Sequence, residues 1–264
     1  AGRLVKYGVV SLFPEWVEQV GQFGVLQRAL ERGKISIEGF NPRDHAMDNH
    51  RTVDDRPFGG GPGMLMQIDT TRAALAQAKA ALPQAPVVYL SPQGRKLDQR
   101  LVGELARLPE IILLAGRYEG IDERLVAEQV DFEVSLGDYV LSGGELGAMV
   151  LIDAVSRLIP GVLGDQASAE QDSFSNLWLD CPHYTRPVDY HGETVPEVLR
   201  SGHHGRIEQW RLRQGIERSW DRRPDLFERR TLSQTELSIV NEHLSTLEKA
   251  STTRDGKDDE KPDH

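Results

Sequence analysis

Three apolar runs between residues 87 and 147 each end among glycines or serines, and each brings a tyrosine close to that end. They read Val87-Val88-Tyr89-Leu90-Ser91-Pro92-Gln93-Gly94, then Ile111-Ile112-Leu113-Leu114-Ala115-Gly116-Arg117-Tyr118-Glu119-Gly120, and Val134-Ser135-Leu136-Gly137-Asp138-Tyr139-Val140-Leu141-Ser142-Gly143-Gly144. Glycine lets a ligand approach the backbone where a side chain would block it. Tyr89, Tyr118 and Tyr139, at similar offsets from the glycines, favour a pocket for a flat ring such as adenine. One such turn alone would read as a tight connection; three together point to a backbone-lined pocket. A fourth glycine cluster, Arg56-Pro57-Phe58-Gly59-Gly60-Gly61-Pro62-Gly63-Met64, follows the charged run His50 to Asp55. It is not a P-loop, because no Gly-Lys-Ser/Thr follows. It reads equally as a flexible turn or as a loop that folds over a ligand.

Other candidates carry weaker signals. Cys181-Pro182-His183 sets a thiol beside an imidazole, but no second Cys or His completes a zinc set, so Cys181 reads as structural and no metal ligand is assigned. Arg157 ends an apolar segment, where a cation commonly serves the helix dipole. Asp172 stands beside Ser173 in a polar stretch, where capping or solvation is the default.

Continuous apolar runs of four to six residues suit strands buried on both faces, the habit of parallel sheets. Ligands of open α/β sheets bind outside the carboxyl ends of such strands. Strands are predicted at Leu4–Leu12 and Ile35–Phe40, with helices at Glu15–Arg32, from Asp69 or Thr70 (as cap) through Leu82, at Leu97–Leu108, Ile121–Gln129 and Gly144–Leu158. Such alternation predicts a mostly parallel α/β sheet. No Gly-x-Gly-x-x-Gly opens a helix after the first strand, which disfavours an ordinary dinucleotide-binding oxidoreductase. Periodicity disappears between Gly161 and Pro196, and a mobile linker is placed there. Helices follow at Gly205–Ser219 and Ser233–Glu248. The second opens on a capping box, Ser233 with Glu236, and carries a face of Leu237, Val240, Leu244 and Leu247. The polar residues from Ser251 to His264 read as disordered.

At 264 residues, 39% hydrophobic and 27% charged, the composition is that of an ordinary globular chain of one large or two modest domains. No apolar run reaches membrane-spanning length, and the first residues carry no secretory pattern. The one cysteine rules out an internal disulfide and fits a reducing cytoplasm. A net charge of −10 weighs at first against a nucleic-acid partner, yet residues 200–230 hold nine Arg against five acids and residues 231–264 four basic residues against eight acids. The basic stretch has Trp210 and Trp220 beside arginines and no lysine, a bias toward phosphate or base contact.

Together these segments resemble the bacterial tRNA (guanine-N1)-methyltransferases, SPOUT-class enzymes that act on the guanosine next to the anticodon at tRNA position 37. The matching pieces are Ser11-Leu12-Phe13-Pro14, His50 to Pro57, Gly59 to Met64, Tyr89 to Gly94, Gly116 to Arg124, Gly137 to Leu146, Asp180 to Pro187 and the Trp210-Arg211 helix, covering nearly all of residues 4–248. Gly147 and the segment Phe174-Ser-Asn-Leu-Trp178 depart from the family pattern. The resemblance implies an α/β, mostly parallel sheet with a deep trefoil knot in an S-adenosylmethionine-binding domain (1–162), a flexible linker (163–195), a small all-α tRNA-binding domain (196–250) and a disordered tail (251–264). It also implies a homodimer with its active site at the subunit interface, acting on tRNA. The methyl donor would contact Tyr89, Leu90, Ser91, Pro92, Gly116, Tyr118, Gly120, Ser135, Leu136, Gly137, Asp138, Tyr139, Val140, Leu141, Gly143 and Gly144. Asp172 would be the general base, Arg157 its electrostatic partner, and Glu119 a supporting acid that could act through a magnesium ion. Asp54, Ser168, Arg211 and Arg213 would contact tRNA.

Overall fold

The computed structural model describes residues 3–164, 172–174 and 177–255. The apolar runs form strands in which alternate residues serve opposite faces of one sheet. In β6 (Glu110–Ala115) every residue is buried. Ile111 and Leu113 join one core, and Ile112 and Leu114 the other. A period of two thus turns a continuous apolar run into a strand covered on both sides. β1 (Val5–Val10) and β2 (Ile35–Phe40) pair with it at one side; β5 (Val87–Lys96) and β7 (Phe132–Ser135) lie at the other. The order is β2-β1-β6-β5-β7, and every pair is parallel.

One face is covered by α1 (Pro14–Glu18), α2 (Gly24–Glu31), α4 (Gln99–Leu105) and α6 (Glu145–Arg157). The other is covered by α3 (Ile68–Ala81) and α5 (Glu123–Gln129). A Cβ at Gly8 would meet Leu82 at 2.7 Å, so glycine in β1 admits the side chain that ends α3. Two residue pairs of β3 (Asp54–Asp55) and β4 (Leu65–Met66) make a separate ribbon.

Several expectations are corrected. The single helix over 15–32 is broken: Phe23 is extended and Gly24 takes φ +62, so the chain folds back and Leu30 reaches Gly21, where a Cβ would stand 2.2 Å from it. Neither Asp69 nor Thr70 caps α3; Gln67 holds the cap position with no side-chain bond, and its carbonyl accepts from Thr71 Oγ1 at 2.8 Å. The turn at Ser91–Gly94 does not end β5 but bulges from it, since Val134 pairs with both Leu90 and Arg95. A Cβ at Gly94 would lie 2.4 Å from the backbone of Glu133 and Val134, so a side chain there would prevent the strand from closing after the bulge.

The chain divides into two units, Ala1–Ala169 and Glu170–His264. Part of the expected linker belongs to the second unit, because Trp178 and Cys181 are buried. A hairpin of β8 (Asp189–Tyr190) and β9 (Glu193–Thr194) precedes α7 (Glu197–Arg200), α8 (His204–Arg222) and α9 (Gln234–Asp255). α9 runs past residue 251, where a disordered tail was expected; residues 256–264 lie outside the described residues.

The capping box forms as predicted: Ser233 N–H donates to Glu236 Oε2 at 2.8 Å, and Glu236 N–H to Ser233 Oγ at 3.3 Å. The apolar face is rotated from the predicted one, with Ile239 and Val240 buried and Leu237 and Leu247 exposed. The reason is Glu236, which turns inward to accept from Trp178 Nε1 at 3.1 Å and Arg230 at 2.6 Å. Burial opposes ionisation of Glu236, but the Ser233 and Trp178 hydrogen bonds and the Arg230 charge outweigh it and hold its carboxyl below the usual range. A depressed carboxyl stabilises the fold above its unfolded pKa and loses that contribution as pH falls through the folded value. Glu236→Gln is expected to lower stability at pH 7 by about 2–3 kcal/mol, with the deficit shrinking toward pH 3. Urea unfolding followed by tryptophan fluorescence at both pH values checks this.

Candidate active site

Because β5, β6 and β7 are neighbours and parallel, their three glycine-marked segments emerge at the same edge of the sheet. There they line one cavity. Tyr89, Leu90, Ser91, Pro92, Gly116, Tyr118, Gly120, Ser135, Leu136, Gly137, Tyr139, Val140, Leu141, Gly143 and Gly144, the residues to which the family resemblance gives the methyl donor, all line it. Asp138 does not; it points away and pairs with Lys96 at 2.7 Å. Arg117, Glu119 and Ser142, which fall within the stretches expected to form the pocket, line it too, whereas Val134 and Gly147 lie outside those stretches and were missed. A signal for Gly147 existed in its departure from the family pattern. It leaves α6 intact and packs on Leu90, which a Cβ would meet at 3.3 Å.

The walls are backbone brought close together. Gly144 N–H donates to Gly116 O at 2.9 Å, and a Cβ on Gly144 would sit 2.7 Å from Ala115 Cα. Tyr118 holds φ +59, a conformation uncommon outside glycine, of the kind that gathers at functional sites. The tyrosines differ in role: Tyr118 and Tyr139 are exposed at the rim, whereas Tyr89 is packed beneath Gly116 and Gly120. Burial, reinforced by the charges of Glu133 and Glu123, pushes the Tyr89 hydroxyl up to about 12, against a lowering hydrogen bond from Ile121. Tyr89 is therefore a neutral wall of the cavity at ordinary pH. Glu119 stands at the rim. Its amide donates to Met64 O at 2.9 Å, and its side chain covers Gly63, so the glycine-rich loop meets the cavity through it. In that loop Gly59, Gly60 and Gly61 have positive φ and open space around them, and Phe58 is fully exposed.

Of the other expected site residues in the first unit, Arg157 and Asp54 do not line this cavity. Arg157 is half-buried in the last turn of α6, in the first unit. Asp54 is half-buried in β3 opposite Met66. Asp172 is in the second unit and half-buried, lining a cavity with Trp178, Asp180, Cys181, His183, Glu208 and Arg211. Its segment is anchored: Asp180 N–H donates to Ser173 Oγ at 2.9 Å, Phe174 N–H to Trp178 O at 2.7 Å, and Leu179 N–H to Ser219 Oγ at 2.9 Å. Ser168 lies outside the described residues.

Asp180, Cys181 and His183 bring their donor atoms within 4.8 Å of one another. Both Asp180 oxygens are engaged, one by Cys181 N–H and one by His183 Nε2, each at 2.7 Å. Burial works against the Asp180 carboxylate, but these hydrogen bonds hold it below its usual range; burial and Asp180 together push the Cys181 thiol up. A protonated, buried thiol agrees with a structural Cys181. Of the two arginines expected on tRNA, Arg211 lines the Asp172 cavity, while Arg213 is bound to Glu242 at 2.5 Å and lies 3.7 Å from Glu217. Trp220 packs on Phe227 and serves the core; Trp210 faces Tyr184.

The profile of the family described as tRNA (Guanine-1)-methyltransferase TrmD matches residues 5–229. The chain belongs to this family. Curated relatives support the assignment along the same length. A tRNA (guanine-N(1)-)-methyltransferase of Hahella chejuensis is 58% identical over 239 residues, covering 90% of this chain and 93% of the relative. One from Marinomonas sp. is 54% identical over 244 residues, 92% and 98% respectively. One from Haemophilus influenzae is 57% identical over 236 residues, 89% and 96%. The match to the TrmD family spans both units, so the cavity of the first and the Asp172 cavity of the second belong to one enzyme family.

Proposed function

We propose that this chain transfers a methyl group from S-adenosylmethionine to N1 of the guanosine at tRNA position 37. The observation that carries the reading is the cavity at the bulge of β5 and the ends of β6 and β7, walled by bare backbone, in a chain of this family. Gly137, Gly143 and Gly144 let Tyr139, the Arg117–Glu145 pair and the Ala115 backbone come within 2.4–2.7 Å of where a Cβ would stand, so the walls draw in close, as a flat adenosyl group needs. When bound, S-adenosylmethionine supplies a sulfonium methyl. In this reading the segments that follow β5, β6 and β7 thread into the trefoil knot of the family, an exception to the usual avoidance of threaded loops.

Guanine N1 carries a proton and its lone pair is delocalised, so a base must take that proton as the N1–methyl bond forms and the sulfur–methyl bond breaks. Asp172 takes it. Negative charge displaced to O6 is met by the Arg157 guanidinium. Glu119, at the cavity rim, is the supporting acid and the residue that would hold a magnesium ion. The base and the donor cavity belong to different units, and tRNA binding assembles the site on the right substrate. A second copy of the chain completes it, an arrangement supported by exposed apolar residues on α6 (Leu146, Val150) and in the segments flanking it (Leu141, Val140). A tRNA substrate and a single buried cysteine agree with a cytoplasmic setting.

Incubation with labelled S-adenosylmethionine and unmodified tRNA, followed by mass-spectrometric mapping, should find one methyl on N1 of that guanosine. A methyl on ribose or on another base would overturn the reading. Arg211 is the stronger candidate for phosphate contact, since Arg213 is already paired with Glu242. Arg211→Ala is expected to weaken tRNA binding and reduce the slope of log affinity against log salt by about 1, while Arg213→Ala changes it less. Filter binding across a salt series checks both.

A further inference from the structure

Glu145 opens α6 and is fully buried, yet the proposed transfer makes no use of it. A buried carboxylate is costly unless paired and hydrogen-bonded. Its Oε1 accepts from Ser11 Oγ at 2.8 Å, and its Oε2 lies 3.0 Å from Arg117 Nε. Ser11 follows β1, Arg117 follows β6, and Glu145 follows Gly143-Gly144, so one side chain joins three segments that are distant in sequence. Arg117 is held from its other sides as well. Its guanidinium lies 4.9 Å from the Phe13 ring centre and 5.7 Å from that of Trp16, and Nη1 reaches Ser142 O at 3.4 Å.

The Nε–Oε2 approach is close but not aligned as a hydrogen bond, so charge attraction holds the pair. A Cβ on Gly143 would come 2.4 Å from Arg117 Nε and 2.5 Å from Glu145 Oε2, and glycine there leaves the space in which the pair forms. Arg117, Ser142 and Gly143 all line the cavity.

We infer that Glu145 is a positioning residue for the methyl donor: through Arg117 it fixes the separation between the Gly116–Gly120 and Ser142–Gly144 walls. The inference rests on the reading of this cavity as the S-adenosylmethionine site. Glu145→Gln keeps the shape and the Ser11 hydrogen bond but removes the charge that holds Arg117. Ser11→Ala keeps the ion pair and removes the hydrogen bond to Glu145, together with the one that Ser11 Oγ accepts from Phe13 N–H at 2.9 Å. Tyr7→Phe is the control, because it deletes an equally buried hydroxyl contact, Tyr7 to Ser156 at 3.0 Å, that touches no wall of the cavity.

Calorimetry with S-adenosylmethionine and steady-state kinetics on tRNA read the outcome. Glu145→Gln should weaken donor binding about tenfold and raise KM for the donor by a similar factor, with KM for tRNA within twofold of wild type. Ser11→Ala should weaken donor binding about threefold, and Tyr7→Phe should leave it unchanged. If Glu145→Gln folds, melts lower and still binds the donor as wild type does, Glu145 serves stability alone and the inference fails. If Glu145→Gln does not fold, Ser11→Ala decides: donor binding no weaker than in Tyr7→Phe overturns it. If the wild-type chain itself binds no S-adenosylmethionine, the reading of the cavity falls, and this inference with it.

Discussion

Asp172→Ala is expected to reduce methyl transfer by about 10²- to 10⁴-fold, the usual contribution of a positioned general base, while S-adenosylmethionine still binds. The two effects separate because the cavity proposed for the donor is lined entirely by residues 89–147 of the first unit, whereas Asp172 lines a cavity of the second. Single-turnover methyl transfer at saturating donor, alongside calorimetry, reads both on the same preparation. Near-normal turnover would remove Asp172 from the chemistry. Whether Asp172 works on the donor held by the partner subunit is tested by mixing Asp172→Ala with Gly143→Trp, which should disrupt the proposed donor cavity, since a side chain there meets Arg117 and Glu145. Heterodimers with one intact site should recover activity that neither parent has. Absence of recovery from folded, dimeric parents would rule out action across the interface.

Gly144→Ala is expected to weaken donor binding by about ten- to a hundredfold, corresponding to an overpacking cost of about 1–3 kcal/mol. The added Cβ would lie 2.7 Å from Ala115 Cα and 3.1 Å from Gly116 N, both backbone atoms. No rotamer change relieves such a contact; relief requires the Gly116 and Gly144 segments to part, which breaks their 2.9 Å hydrogen bond and widens the cavity. Gly103→Ala is the comparison. That glycine lies in α4 with nothing within 4 Å of a Cβ, so alanine there should stabilise the chain by up to about 1 kcal/mol and leave donor binding alone. Equal donor affinity in the two variants would mean that the Gly116–Gly144 contact does not shape the cavity.

The sequence alone determined the parallel α/β character and the cavity. Runs such as Ile111–Leu114 admit burial on both faces and little else, and glycines following such runs mark where backbone is left bare. Local signals of this kind survive folding because they depend on period and on the missing Cβ. The capping box at Ser233 and Glu236 was legible for the same reason, its partners being three residues apart.

Tertiary structure decided what depends on residues far apart in the chain. The break at Phe23-Gly24 follows from Leu30 packing on Gly21, and the rotated face of α9 from a bond between Glu236 and Trp178, 58 residues away. The link of Ser11, Arg117 and Glu145 spans up to 134 residues and has no local pattern. Nor could spacing reveal that β5 resumes after its bulge, because that requires Val134 to pair with it twice. Periodicity reports which face of an element is apolar, while the buried polar contacts that fix its rotation and join the cavity walls exist only once the elements meet.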